Sequence, residues 1–254
     1  MRTWLITGCS TGIGRGIAKA VLNSGDQAVV TARNISKIQE FEEKYPDTCM
    51  TLSLDLTDEN SMEDTVKKAY SRFGRIDVLV NNAGYGYRAA IEESEEAEID
   101  LLFRTNVFGP AKLMNLCLPR MREEKAGIII NVSSIGAVRA AVGNGYYSAS
   151  KAALELVSDA VGKETEHLGI KMMIVEPGAF RTSFYDSLHG ASQAIPDYTP
   201  SVGSMRLENM VNNHDQKGDP DKAGELIVEL VLSGNLPRRL PLVRHLNRTG
   251  NFCP

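Results

Sequence analysis

Tyr147 and Lys151 stand four residues apart in the run Tyr147, Ser148, Ala149, Ser150, Lys151. The polar, apolar and small residues from Ala149 to Leu168 predict a helix, which would set the two side chains one above the other on one face. A free tyrosine has a pKa of about 10 and is a poor proton-transfer group near neutrality. A fixed cation beside it favours the phenolate and draws that value toward working pH, where acid and base catalysis is most efficient. The pair reads as a candidate proton donor with its tuner; the plainer reading is a solvated helix face.

A second hydroxyl lies upstream. The apolar run Ile128 to Val132 predicts a strand, and it delivers Ser133 and Ser134 at its carboxyl end, where ligands bind in open α/β sheets. The glycine-rich connection from Ser134 to Tyr147 can fold both hydroxyls onto one ligand atom.

A third feature is Gly8, Cys9, Ser10, Thr11, Gly12, Ile13, Gly14, between the run Thr3 to Thr7 and a helical pattern from Arg15 to Asn23. Glycines at a strand-to-helix turn let backbone approach a pyrophosphate, whose charge the helix's free N–H groups and positive dipole end would hold. The spacing is GxxxGxG, not GxGxxG. The second strand ends Thr31, Ala32, Arg33. A carboxylate there would bind the ribose hydroxyl of NAD, whereas an arginine can hold the 2′-phosphate of NADP by a charge-assisted fork. Arg33 therefore favours NADP(H) as cofactor, with NAD(H) the alternative. Asp55, closing the third strand ahead of Leu56, could meet the adenine amino group or satisfy local N–H groups.

These residues need a scaffold, and the chain supplies one. Short β-rich runs alternate with helical patterns: Thr3 to Thr7, Ala28 to Thr31, Cys49 to Leu54, Ile76 to Val80, Ile128 to Val132, Met172 to Val175. Runs apolar along most of their length suit strands covered on both faces, so the fold class is doubly wound α/β. Asn34 or Ser36 would cap a helix ending near Tyr45, Thr57 would start one ending at Gly74, and a helix from about Glu98 would end before Pro119. Glu92 to Glu98 holds five glutamates, read as a solvated helix start. Asn106 within that helix lacks a propensity reason; it caps a carbonyl or opens the ladder to hold a water. Asn81 and Asn82, with Ala83 and Gly84, would tie strands together and leave backbone close to the cofactor.

The 254 residues form one domain, since no Pro-, Ser- or Gly-rich linker divides them. A formal net charge of −4 argues against nucleic acid as a partner. No apolar run reaches the roughly 18 residues of a membrane span. The first strand begins at once, which leaves no signal peptide and implies a cytoplasmic protein. Cys9, Cys49, Cys117 and Cys253 lack CxxC spacing and look like reduced small hydrophobes, and the four histidines are dispersed, so no metal site is assigned.

Together these residues resemble the short-chain dehydrogenase/reductase family, single-domain branch, over nearly the whole chain. Thr7 to Gly14 matches the family's TGxxxGxG turn, Asn81 to Gly84 its NNAG, and Asn106 its helix asparagine. Ser134, the YxxxK pair Tyr147 and Lys151, and Pro177, Gly178 and Thr182 as PGxxxT complete the set. The resemblance implies a Rossmann fold whose mostly parallel sheet has about seven strands with helices on both faces. It implies that Tyr147 is the acid or base, that Lys151 lowers its pKa and holds the nicotinamide ribose, and that Ser134 polarises a carbonyl. Asn106 would anchor a relay water, and backbone after Pro177 with the Thr182 hydroxyl would hold the carboxamide.

The cofactor contacts expected on this basis are Gly8, Ser10, Thr11, Gly12, Ile13, Gly14, Arg33, Asp55, Leu56, Asn82, Ala83, Gly84, Tyr147, Lys151, Pro177, Gly178 and Thr182. Thr11 stands where many NADP-using members carry a second basic residue, so that preference rests on Arg33. The tail from Val243 to Pro254, with Arg244, Arg248 and Cys253, matches no family feature.

Residues 184 to 217 lack clear periodicity yet hold Phe184, Tyr185, Leu188, Ile195, Tyr198, Met205, Leu207, Met210 and Val211, as a lid would. With Tyr85, Tyr87, Val138 and Phe180 they would line an apolar pocket for a hydrophobic carbonyl or alcohol. Family members pair through the helices here at Glu98 to Leu118 and Ala149 to Leu168, which implies a homodimer or homotetramer. The rival reading is a catalytically silent dinucleotide-binding sensor or scaffold.

Overall fold

A computed structural model describes residues 1–210 and 215–243. β1 (Thr3–Ile6) leads to α1 (Gly12–Asn23), β2 (Gln27–Ala32), α2 (Gln39–Lys44), β3 (Cys49–Ser53), α3 (Glu59–Phe73) and β4 (Val78–Asn81). There follow β5 (Tyr87–Arg88), α4 (Glu96–Phe103), α5 (Gly109–Glu124), β6 (Gly127–Val132), α6 (Gly145–Thr165) and β7 (Ile170–Pro177). The described chain closes with β8 (His189–Gly190), α7 (Thr199–Met210), α8 (Pro220–Ser233) and β9 (Arg239–Leu242).

Seven strands form one sheet in the order β3-β2-β1-β4-β6-β7-β9, and every pair in it is parallel. β5 and β8 form a separate two-stranded parallel ribbon. The order reverses between β1 and β4, so a crevice opens at their carboxyl ends. Alternate residues serve opposite faces: Trp4 and Ile6 join the core with α1 and α8, and Leu5 the core with α3 and α5. Burial on both sides is why the strands read as apolar runs. Pro241 is tolerated because β9 is an edge strand. α1 and α8 cross at Gly16 and Gly224, where a Cβ on Gly224 would lie 2.3 Å from the Gly16 carbonyl carbon.

Several expectations change. The helix expected from Glu98 to Leu118 is two helices joined by a π-helical turn, Arg104–Phe108. Pro119 lies inside α5 without ending it; Leu113, Met114, Cys117 and Met121 are buried on that helix, and their packing outweighs one lost backbone bond. α6 starts at Gly145, placing Tyr147 in its first turn. The helix near Asn34 is a single 3-10 turn, Ile35–Lys37, whose Ser36 N–H that side chain accepts at 3.0 Å, and α2 follows. Asp58, not Thr57, caps α3 by accepting from the Asn60 N–H at 2.9 Å.

The segment expected to be irregular carries β8, α7 and two 3-10 turns. The readings on Val211, Arg244, Arg248 and Cys253 lie outside the described residues, and those on Leu207 and Met210 outside the described side chains. Cys9, Cys49 and Cys117 are buried and free. Among the described residues no helix is long and apolar enough to cross a membrane.

Candidate active site

The glycine turn is built for close approach. Gly8 and Gly12 have φ of 73° and 63°, the left-handed region that favours glycine. A Cβ on Gly8 would fall 2.8 Å from Ala83 Cα, and one on Gly14 would fall 2.3 Å from Asn82 Nδ2. The Asn82 amide donates to the Thr7 and Gly8 carbonyls at 2.9 and 3.1 Å. Thr7 Oγ1 accepts from the Asn82 and Ala83 N–H groups at 3.0 Å each. Asn81 likewise donates to Asn131 Oδ1 at 2.8 Å, so both asparagines tie strands as expected. Thr11 makes no side-chain cap on α1, whose first turn holds no acidic residue. Its leading N–H groups therefore suit an anion. Ile13 is buried and anchors the turn, while Ser10 and Thr11 face outward. This cradle fits a pyrophosphate.

Arg33 is exposed directly after buried Ala32 at the end of β2. Asp55 Oδ1 accepts from the Thr57 N–H at 2.8 Å and the Thr57 hydroxyl at 2.7 Å. Those bonds, the backbone one first, hold its carboxyl below the usual range, and Arg33 adds to the effect. The local role of Asp55 is thus real. Leu56 is a core side chain packed where Gly109 leaves no space for a Cβ.

Ser134 caps the 3-10 turn Ile135–Ala137, its Oγ accepting from the Gly136 N–H at 3.0 Å. Its hydroxyl also reaches Tyr147. Lys151, only 4% exposed, donates to the Val132 carbonyl at 3.0 Å, and a Cβ on Gly84 would lie 3.3 Å from its Nζ. The hydroxyls and the ammonium therefore meet where β6 ends, against the Gly84 backbone that follows β4.

The tuning differs from the expectation. Burial pushes the Tyr147 phenol up to about 12, and what pulls it back is the Ser134 hydroxyl and, less, the Arg88 guanidinium, not Lys151. Lys151 is itself lowered to about 8 by burial, with Glu155 opposing. Shared helical face gave proximity, but desolvation dominates both groups.

Asn106 is fully buried in the π turn. It clamps Tyr85, accepting from its N–H at 3.2 Å and donating to its carbonyl at 3.0 Å, and donates to Ser150 Oγ at 3.1 Å. The ladder is open there, as one expectation held, but both amide hydrogens are used within the protein. Gly178 donates its N–H to the Leu242 carbonyl at 3.1 Å, and Pro177 pairs with Leu242, so this backbone is occupied by β9. Thr182 lies against Gly12: a Cβ there would be 3.1 Å from its methyl.

Phe184 meets the Tyr147 ring at 5.7 Å, and Tyr85 meets His189 at 4.6 Å. Tyr87, expected in the pocket, is a core residue at 1% exposure, with Leu102 and Ala89 around it. Phe180 packs on the main core, and Val138 is exposed. The glutamates are in part the solvated helix start expected, since α4 begins at Glu96 with Glu96 and Glu98 in its first turn and Glu92, Glu95 and Glu96 are exposed; four of the five are also tethers. Glu93 is buried and accepts from the Ala90 and Ile195 N–H groups at 3.0 and 2.8 Å. Glu95 accepts from the Ser192 N–H, Glu92 from the Tyr198 hydroxyl, and Glu98 pairs with His189. They strap residues 189–198 beside the site.

The sequence reading missed a buried cluster behind Lys151: Ser133 donates to Glu155 Oε1 at 2.6 Å, and Arg239 reaches Glu155 and Glu176, both at 2.5 Å. The available signal was Glu155 four residues beyond Lys151 on one helix; Arg239 is joined to it only by the sheet.

The family model described as short chain dehydrogenase matches residues 2–192. A 3-ketodihydrosphingosine reductase of Bacteroides thetaiotaomicron is 35% identical, over 95% of this chain and 89% of its own length. The crystal structure of a short-chain dehydrogenase from Streptomyces avermitilis is 39% identical, with TM-score 0.87, over 96% of this chain and 90% of that one. A 3-ketoacyl-(acyl-carrier-protein) reductase from Brucella melitensis, solved with NADH, is 25% identical with TM-score 0.79, over 94% of this chain and 96% of that one. With its parallel sheet, glycine turn and Ser134, Tyr147 and Lys151 in one place, the chain belongs to the short-chain dehydrogenase family of oxidoreductases.

Proposed function

We propose that the protein is an NADP(H)-dependent oxidoreductase that interconverts a ketone or aldehyde and its alcohol on a hydrophobic small molecule. The observation that carries this reading is the meeting of Ser134, Tyr147 and buried Lys151 beside the backbone that borders the glycine turn. A nicotinamide dinucleotide supplies hydride exchange with the carbonyl carbon when bound. Gly8 to Gly14 and the start of α1 would hold its pyrophosphate, and Arg33 its 2′-phosphate. The Ser134 and Tyr147 hydroxyls donate to the substrate oxygen and stabilise the charge that develops on it. Tyr147 then gives its proton. A phenol raised to about 12 is protonated at neutral pH, the form that reduction needs. Lys151 binds the ribose and supports proton return to Tyr147. Asn106, whose amide hydrogens bond the Tyr85 carbonyl and Ser150, holds the Tyr85 backbone in place from the turn at Arg104–Phe108.

Phe184 and Tyr85 support an apolar substrate, as do two similar proteins named as reductases of 3-keto compounds. The NADH in one of them favours NAD as the second cofactor reading. Leu101, Phe108 and Leu156, exposed by 37%, 59% and 71% on or beside α4, α5 and α6, support a homodimer or homotetramer through those helices. The test is loss of NADPH absorbance with a panel of apolar ketones. Turnover with NADPH faster than with NADH is expected; nucleotide binding without turnover of any carbonyl or alcohol would leave the sensor reading instead.

A further inference from the structure

We propose that Glu155 is a positioning residue for this site: its buried carboxylate, seated between Ser133 and Arg239, holds the end of β6 and sets a negative charge one helical turn beyond Lys151. The effect on turnover rests on the role proposed for Lys151 above; the placement of the carboxylate stands on geometry.

Glu155 is one helical turn beyond Lys151 on α6 and 6% exposed. Its Oε1 accepts the Ser133 hydroxyl at 2.6 Å, and its Oε2 takes Arg239 Nη1 at 2.5 Å. The same nitrogen reaches Glu176 Oε1 on β7, also at 2.5 Å, and Glu176 is 5% exposed. Two buried carboxylates thus share one guanidinium, and buried charges demand pairing. The remaining positive charge is Lys151. Of the other groups around the site, Ser133 is neutral, the Tyr147 phenol is protonated at neutral pH, and the Arg88 guanidinium acts on that phenol. Asp159, the next turn of α6, is held by Lys163 and Arg238.

The consequences follow from position. Burial lowers the affinity of Lys151 for its proton, and Glu155 is the group that opposes the loss. Without that carboxylate the amine would be neutral nearer working pH. The Ser133 bond fixes the backbone one residue before Ser134, whose hydroxyl caps the next turn and faces Tyr147.

The test titrates Lys151 directly in the whole protein, through the carbon-13 shift of Cε in lysine-labelled protein, its peak identified by loss in Lys151→Arg. Glu155→Gln should lower the titration midpoint by about one pH unit. Arg239→Gln removes a positive charge and frees both Glu155 and Glu176, so it should raise the midpoint. Opposite shifts would support the proposal; no shift, or shifts of the same sign, would overturn it. Should Glu155→Gln not fold alone, the double variant with Arg239→Gln, which leaves no unmatched guanidinium, is read against Arg239→Gln, and a midpoint that is not lower overturns the proposal. In turnover, Glu155→Gln should lower kcat about twofold at pH 7 and about fivefold at pH 8, with KM nearly kept and activity regained as pH falls. Opposite titration shifts in a protein that turns over no carbonyl would leave this inference standing and sink the proposed activity.

Discussion

A phenol raised to about 12 beside an ammonium lowered to about 8 gives the site a direction. Tyr147 is loaded with its proton and Lys151 is close to losing one. Tyr147→Phe is expected to lower turnover by at least about a thousandfold while NADPH binding, read by fluorescence titration, is largely kept; binding lost together with activity would mean the ring is structural. Arg33→Ala removes a charge-assisted contact and should weaken NADPH about tenfold with NADH little changed. Equal losses for both would sink the preference for the phosphorylated cofactor. Identity and grouping of these residues were legible, because Tyr147 and Lys151 share a helix and Ser134 ends a strand. Their protonation was not, because desolvation depends on neighbours that only the fold supplies.

At the level of elements, the crossing of α1 and α8 matters more than its distance from the chemistry implies. The two helices touch backbone to backbone at Gly16 and Gly224, and α1 presents its amino end to the dinucleotide cradle. Gly224→Ala must part them, at a cost of about 2 kcal/mol, or roughly 4–8 °C in melting temperature. NADPH affinity should fall with it; an unchanged melting curve would show that the crossing is loose. Strand runs and helix ends such as Gly74 were readable from local chemistry, that glycine having φ of 78°. The π turn at Asn106 and the helical Pro119 were not, since each is held against local preference by packing. The tethering role of Glu92, Glu93 and Glu95 was hidden for a similar reason: their partners lie about a hundred residues along the chain, and acidic residues read only as solvent-facing until those partners arrive.

Across the whole molecule, the alternating pattern was enough to reach the parallel sheet, whereas the order of its strands is set by contacts between elements distant in the chain. Burial also sets how the fold meets alkali. Cys9, Cys49 and Cys117 are each pushed up to about 12 from an ordinary value near 9. The unfolded chain therefore releases these protons above about pH 9 while the fold retains them, so their contribution is present below that pH and lost as pH rises. Each costs about 1.4 kcal/mol per pH unit in that window. Lys151 acts with the opposite sign between about 8 and 10.5, because the unfolded chain there binds a proton that the fold does not. Three thiols against one amine leave a net loss of roughly 3 kcal/mol per pH unit from about pH 9 to 10, and above that the buried phenols of Tyr147 and Tyr85, both raised to about 12, steepen it. The urea midpoint should fall steeply over that range, and Cys49→Ala should make the fall shallower; a flat profile would contradict the burial described.

Arg239 comes from β9, the last strand of the described chain, yet its side chain balances Glu155 and Glu176 far earlier in the sequence. Both acids are therefore matched only once β9 lies against β7, and a chain cut short before Arg239 would have to enclose two carboxylates without their cation, which buried charge resists.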